Sequence, residues 1–80
     1  MSTGDLQRLL GLNLRDYRQS QGLSQEALAQ VLQVHRTYMG GLERGERNLT
    51  LQSLERIAER LGVEPLRLLS APIPGSTSWA

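Results

Sequence analysis

Apolar residues recur along the first twenty positions at helical intervals. Leu6, Leu10, Leu14 and Tyr17 follow one another at steps of four, four and three, one stripe of a helix running from Asp5 to Gln21. Leu9 sits beside the stripe and Leu12 lies off it. Gly22 then stands where a helix closes through left-handed backbone. Ser24 is an N-cap for a second helix, Gln25 to Leu32, whose inner face is Leu28, Ala29 and Leu32. A turn of Gln33, Val34 and His35 leads into a third helix, Arg36 to Glu43, which Gly45 stops. Thr50 caps a fourth helix with Leu51, Leu54, Ile57, Ala58 and Leu61 on one face, ended by Gly62. Glu64 and Pro65 open a short fifth helix carrying Leu66, Leu68 and Leu69, with proline where its missing N–H is harmless.

From Ser70 the pattern stops. SAPIPGSTSWA is small, polar and twice broken by proline, so residues 70–80 read as a flexible tail and 1–69 as one domain. Trp79 is the exception within it. It is expected to be exposed, or else to dock on a partner subunit.

Residues 25–44 have the pattern of a helix-turn-helix. Two helices joined by a tight turn need a small residue where they touch, and Ala29 is there. They need apolar residues to hold them to each other and to the rest, and Leu28, Leu32, Val34, Met39 and Leu42 supply those. Gln33 occupies a turn position whose backbone tends to be left-handed, at roughly 1 kcal/mol for a non-glycine residue. The alternative reading is an ordinary antiparallel helix pair in an all-α, five-helix bundle.

Composition narrows the chemistry. There is no cysteine, so no disulfide, and His35 is the one histidine, so neither a histidine metal site nor a histidine-based active site is expected. No phosphate-binding glycine loop occurs. The reading is therefore of a non-enzyme without cofactor or metal. MSTGDLQRLL lacks the charged start and apolar core of a secretory leader, and no apolar run is long enough for a membrane span, so a cytoplasmic protein is expected. A chain of 80 residues is short enough to want a partner subunit. The net charge is only +1, and all nine basic residues are arginine. Binding to nucleic acid would then rest on a local patch rather than on the whole field. Arginine presents a planar fork suited to phosphates and guanine edges.

The outer face of the third helix carries residues its core does not need. Arg36 can fork onto guanine O6 and N7, and Thr37 offers a hydroxyl and a methyl. Gly40 and Gly41 weaken a helix by about 1 kcal/mol each relative to alanine. Close approach of DNA would account for them, and so would close helix packing. Arg44 lies on the same face. His35 is placed near the cap, facing solvent or phosphate. Gln25, beside the free N–H groups of a helix start, and Tyr38, Arg47 and Asn48 are candidate phosphate contacts. For Arg47 a base or the minor groove is an alternative, and for Arg47 and Asn48 so is a solvated loop. Arg18 and Glu43 read as a pair tying the first helix to the end of the third.

The segment GLSQEALAQVLQVHRTYMGGLERGERN, above all LSQEALA and LERGERN, resembles the Cro/C1-type (XRE) helix-turn-helix family over about residues 10–69. RTYMGGLERGERNLTLQSLERIA is most similar to the restriction–modification controller proteins. The resemblance implies a compact five-helix, lambda-repressor-like DNA-binding domain that is dimeric through helices four and five. It implies base reading by Arg36, Thr37 and Arg47, and phosphate contacts by Gln25, Tyr38, Asn48 and Ser53. It also implies paired inverted repeats upstream of the protein's own gene and an endonuclease gene. Gln33 departs from the glycine usual in the family.

Dimerisation is also expected from the residues. Leu49, Leu66, Leu68 and Leu69 exceed what a core of this size must bury, and Leu49, Leu51, Leu66 and Leu69 are assigned to a subunit interface. A two-fold dimer would set its reading helices about 34 Å apart on a pseudo-palindromic operator, with a second dimer on an adjacent site. RNA polymerase is a further expected partner, with Glu26, Glu55 and Glu59 as candidates for that contact. The competing readings are an antitoxin, whose main partner is a toxin, and a phage-type repressor. A membrane partner is not expected.

Overall fold

The computed structural model of the chain describes residues 2–71 and residue 79. They form an all-α domain: α1 (Asp5–Ser20), α2 (Gln25–Leu32), α3 (Arg36–Glu43), α4 (Leu51–Leu61) and a 3-10 helix (Pro65–Leu69), with no strand among the described residues. The fifth element differs from the α-helix expected there. Its five residues, opened by proline, are too few for a run of i to i−4 bonds, and the tighter 3-10 turn satisfies them.

The starts of three helices are fixed by side chains that accept an otherwise free N–H. Ser24 Oγ takes the Ala27 N–H at 3.0 Å, and Thr50 Oγ1 takes the Ser53 N–H at 3.0 Å. His35 Nδ1 takes the Thr37 N–H at 3.1 Å, so the histidine is itself the cap of α3. In the first turn of α1 the Asp5 carboxylate accepts from the Ser2 N–H, which with Arg8 holds it below the ordinary carboxylate pKa.

Leu10 and Leu14 of α1, Leu28 of α2, Met39 and Leu42 of α3, and Leu54 and Ile57 of α4 meet in one core. Three expectations about the leucines need correction. Leu68 is fully buried, so it belongs to this core and is not surplus to it. Leu6 is 44 % exposed and leaves the stripe, because the first turn of α1 opens onto a surface groove shared with the start of α4. Leu51 is 78 % exposed and does not share the inner face of α4. At about 100° per residue it falls some 70° off the centre of that stripe.

Two long-range contacts close the domain. Gly11 marks where α1 crosses the end of α3: a Cβ there would lie 2.5 Å from the carbonyl oxygens of both Leu42 and Glu43. Asn13, buried in mid-helix, donates from Nδ2 to the Leu68 and Ser70 carbonyls at 2.8 Å each, tying the 3-10 helix to α1.

Trp79 is 8 % exposed, contrary to its expected exposure or docking on a partner. It sits on its own domain. The indole meets Tyr17 edge-on at 5.7 Å, lies beneath the Arg67 guanidinium at 4.3 Å and donates from Nε1 to Asp16 at 2.7 Å. A ring whose apolar body is covered and whose N–H is paired has no reason to stay in water. The remainder of the expected flexible tail, 72–78 and 80, lies outside the described residues.

Candidate nucleic-acid interface

The turn between α2 and α3 is left-handed at Gln33, with φ 58° and ψ 45°. Glutamine is held there by a neighbour: its Oε1 accepts from Arg60 Nη2 of α4 at 2.9 Å. The chain then re-enters helix at His35 and sends α3 across α2.

The far end of α3 is locked. Arg18 donates from Nε and Nη2 to the two carboxylate oxygens of Glu43, at 2.7 and 3.1 Å, and from Nη1 to the Leu23 carbonyl at 3.1 Å. The Glu43 side chain is only 4 % exposed, and a carboxylate so buried needs this bidentate partner. The pair joins α1 to the end of α3, as the sequence indicates. The same carboxylate accepts from Gln25 Nε2 at 3.1 Å, which aims one amide hydrogen of Gln25 inward and leaves the other for a ligand.

A polar groove runs between the start of α2 and the outer face of α3. It is lined by Ser24, Gln25, Glu26, Arg36, Thr37, Gly40 and Arg44. Gln25, Arg36, Thr37, Gly40 and Arg44, from two separate stretches of chain, are thereby brought together. Arg36, Thr37 and Arg44 are exposed, while Gln25 is half-buried. Gly40 and Gly41 are buried beneath arginine side chains: the nearest atoms to a Cβ at Gly40 belong to Arg44, and those at Gly41 to Arg47. Arg44 also pairs with Glu46 at 3.1 Å on the open surface. His35 is exposed, with its Nδ1 occupied by the cap bond. Glu26 adds a negative charge to the groove that the sequence reading assigned elsewhere.

A second groove lies on the other flank of α3, between the α2–α3 turn and α4. Tyr38 and Ser53 line it together with Gln33, Arg56 and Arg60. Arg56 Nη2 donates to Ser53 Oγ at 3.3 Å. The sequence reading passed over Arg56 and Arg60. The available signal was two arginines four apart on α4, off its apolar stripe and in register with Ser53. Arg47 lies over the Tyr38 ring at 5.3 Å. Asn48 is exposed, and its side-chain oxygen accepts from Gln7 of α1, an anchor with no trace in the local sequence.

Chemically, the surface around α3 combines forked cations, hydroxyls and an amide, with basic groups on both flanks. This is equipment for phosphates and base edges. Among the described residues no group of three or more metal-ligating side chains occurs, and no helix is long and apolar enough to cross a membrane.

Comparison with known proteins gives the family. A family model described as helix-turn-helix matches residues 14–68. The chain is 44 % identical over 66 residues to control protein C.SmaI of Serratia marcescens, covering 82 % of this chain and 79 % of that protein. Among solved structures, the hypothetical transcription factor NHTF from Neisseria superposes with a TM-score of 0.78 at 40 % identity, covering 85 % of this chain and 76 % of the other. The restriction–modification controller protein C.AhdI from Aeromonas hydrophila gives 0.69 at 42 % identity, covering 78 % and 94 %.

Proposed function

Because this chain belongs to the helix-turn-helix family, among relatives that include the controller proteins of restriction–modification systems, we propose that it is a sequence-specific transcription regulator of such a system. In this reading it binds an inverted-repeat operator as a homodimer and sets the expression of its own gene and of an endonuclease gene. The observation that carries the reading is the groove that unites Gln25, Arg36, Thr37 and Arg44 at the outer face of α3. Arg36 and Thr37 at the start of α3 read base edges in the major groove, with Arg47 as a third reader; Gly40 and Gly41, buried beneath Arg44 and Arg47, do not themselves face the duplex. Gln25, His35, Tyr38, Arg44, Asn48 and Ser53 hold the phosphates on either side.

The dimer reading rests on exposed apolar surface. Leu51 and Leu66 are 78 % and 75 % exposed, and Leu49 and Leu69 are half-buried beside an apolar groove at the start of α4. Single exposed leucines such as Leu66 are ordinary, but Leu6, Leu49, Leu51 and Leu69 line one groove together, and such a patch suits a partner surface. Two dimers on adjacent sites, RNA polymerase as a partner of the activating form and a cytoplasmic location complete the proposal.

A mobility-shift titration on the DNA upstream of the protein's own gene, with random DNA as competitor, tests it. The expected result is a competitor-resistant shift. In the same assay Arg36→Ala should lose about 1–3 kcal/mol and relax the preference at one base position. Parental affinity and preference in Arg36→Ala would remove α3 from its reading role. A monomer by light scattering at micromolar concentration would remove the dimer.

A further inference from the structure

Gly41 lies in the middle of α3, where glycine weakens a helix. Helix packing does not require it. At Gly11, where packing does require a glycine, the atoms nearest an added Cβ are backbone carbonyls of another helix. At Gly41 the three nearest atoms all belong to one side chain: Arg47 Nε at 2.7 Å, Cγ at 3.1 Å and Cδ at 3.4 Å. The backbone delivers Arg47 to that place. Gly45 turns left-handed at φ 74°, and the Glu46 N–H returns to the Gly41 carbonyl at 2.9 Å, a helix ending that folds the following residues back over α3. The guanidinium then rests over the Tyr38 ring, 5.3 Å from its centroid.

We propose that Gly41 is a specificity-determining positioning residue: its missing side chain is the seat that lays Arg47 across the reading helix and over Tyr38. The inference rests on Arg47 reading bases, as set out above. Any larger residue at 41 puts a Cβ into the Arg47 side chain. The helix cannot yield, because Glu43 ties its end to Arg18. Arg47 is exposed and must leave. Position 41 therefore decides, without touching DNA, which base Arg47 meets.

The experiment uses Gly41→Ala, Arg47→Ala and the double variant, each compared with the parent in two ways. The first is the proton NMR spectrum of the free protein. The Arg47 side-chain signals should be displaced by the Tyr38 ring in the parent and return to ordinary positions in Gly41→Ala. The second is selection from a randomised DNA duplex library. Gly41→Ala should lose preference, by about five- to a hundredfold, at the same base position as Arg47→Ala. In the Arg47→Ala background Gly41→Ala should change the preference no further. Circular dichroism should show Gly41→Ala as helical as the parent. Retained ring displacement in Gly41→Ala overturns the seat. A shift in preference caused by Gly41→Ala even without Arg47 overturns it too, by showing that the glycine itself meets DNA. If Arg47→Ala keeps the parental preference, the base-reading role of Arg47 falls and the specificity role of Gly41 with it. The NMR displacement still reports separately on whether the seat exists.

Discussion

Gln33 and Arg60 are joined across the α2–α4 boundary: the side-chain oxygen of a left-handed glutamine accepts from the arginine at 2.9 Å. The bond partly offsets a backbone conformation that L-residues avoid. Gln33→Gly should raise stability by up to about 1 kcal/mol, because relief of the left-handed strain exceeds one exposed hydrogen bond. Arg60→Ala should lower stability slightly in the parent and not at all in Gln33→Gly. Urea denaturation of the four proteins measures the cycle, and strictly additive effects would mean the two residues are not coupled.

Gly11 allows no side chain. Two backbone carbonyls stand 2.5 Å from where a Cβ would be. Gly11→Ala should destabilise by about 1–3 kcal/mol despite the better helix propensity of alanine. A melting temperature equal to the parent's would show that α1 and α3 can separate without loss.

Trp79 is the one tryptophan of the chain and reports on its own contact. Its emission should be blue-shifted and protected from acrylamide in the native protein. Trp79→Ala should lose about 1–3 kcal/mol, from the covered ring area and the edge-on contact with Tyr17. Emission and quenching like those of free indole would place the residue in water instead.

Arg56 shares its groove with Tyr38 and Ser53. If this flank lies along the DNA backbone, Arg56→Ala should weaken specific and random DNA alike and reduce the slope of log K against log salt by about one. Gln25→Ala, which removes no charge, should weaken both while leaving the slope unchanged. An unaltered slope in Arg56→Ala would remove that residue from the phosphate contacts.

What was legible in the sequence is what local chemistry dictates. The starts of α2 and α4 follow from Ser24 and Thr50, and the helix-turn-helix follows from the spacing of Leu28, Ala29, Leu32, Met39 and Leu42. Arg18 and Glu43 were readable as a pair of opposite charge tying α1 to the end of α3. Residues 25–44 also carry the words of the family, and those words point to the residues around α3. Gly11, Asn13 and Trp79 were missed for a shared reason. Each acts on a segment more than thirty positions away in the chain or on its backbone carbonyls, and helix periodicity contains no information about which segment that is. Leu51 and Leu68 were misjudged because a leucine at the edge of a stripe, or in a five-residue turn, is buried or exposed according to packing that the stripe alone does not determine.

The contact at Gly11, together with the bidentate grip of Arg18 on Glu43, leaves α3 without a hinge. In the proposed reading role, a helix so tied would not adjust against its own domain, and the duplex would supply the fit. Sites rich in pyrimidine–purine steps, which kink readily, would then be favoured over stiff tracts even at base pairs that no side chain reaches. In this domain part of the selectivity would lie in the elasticity of the DNA.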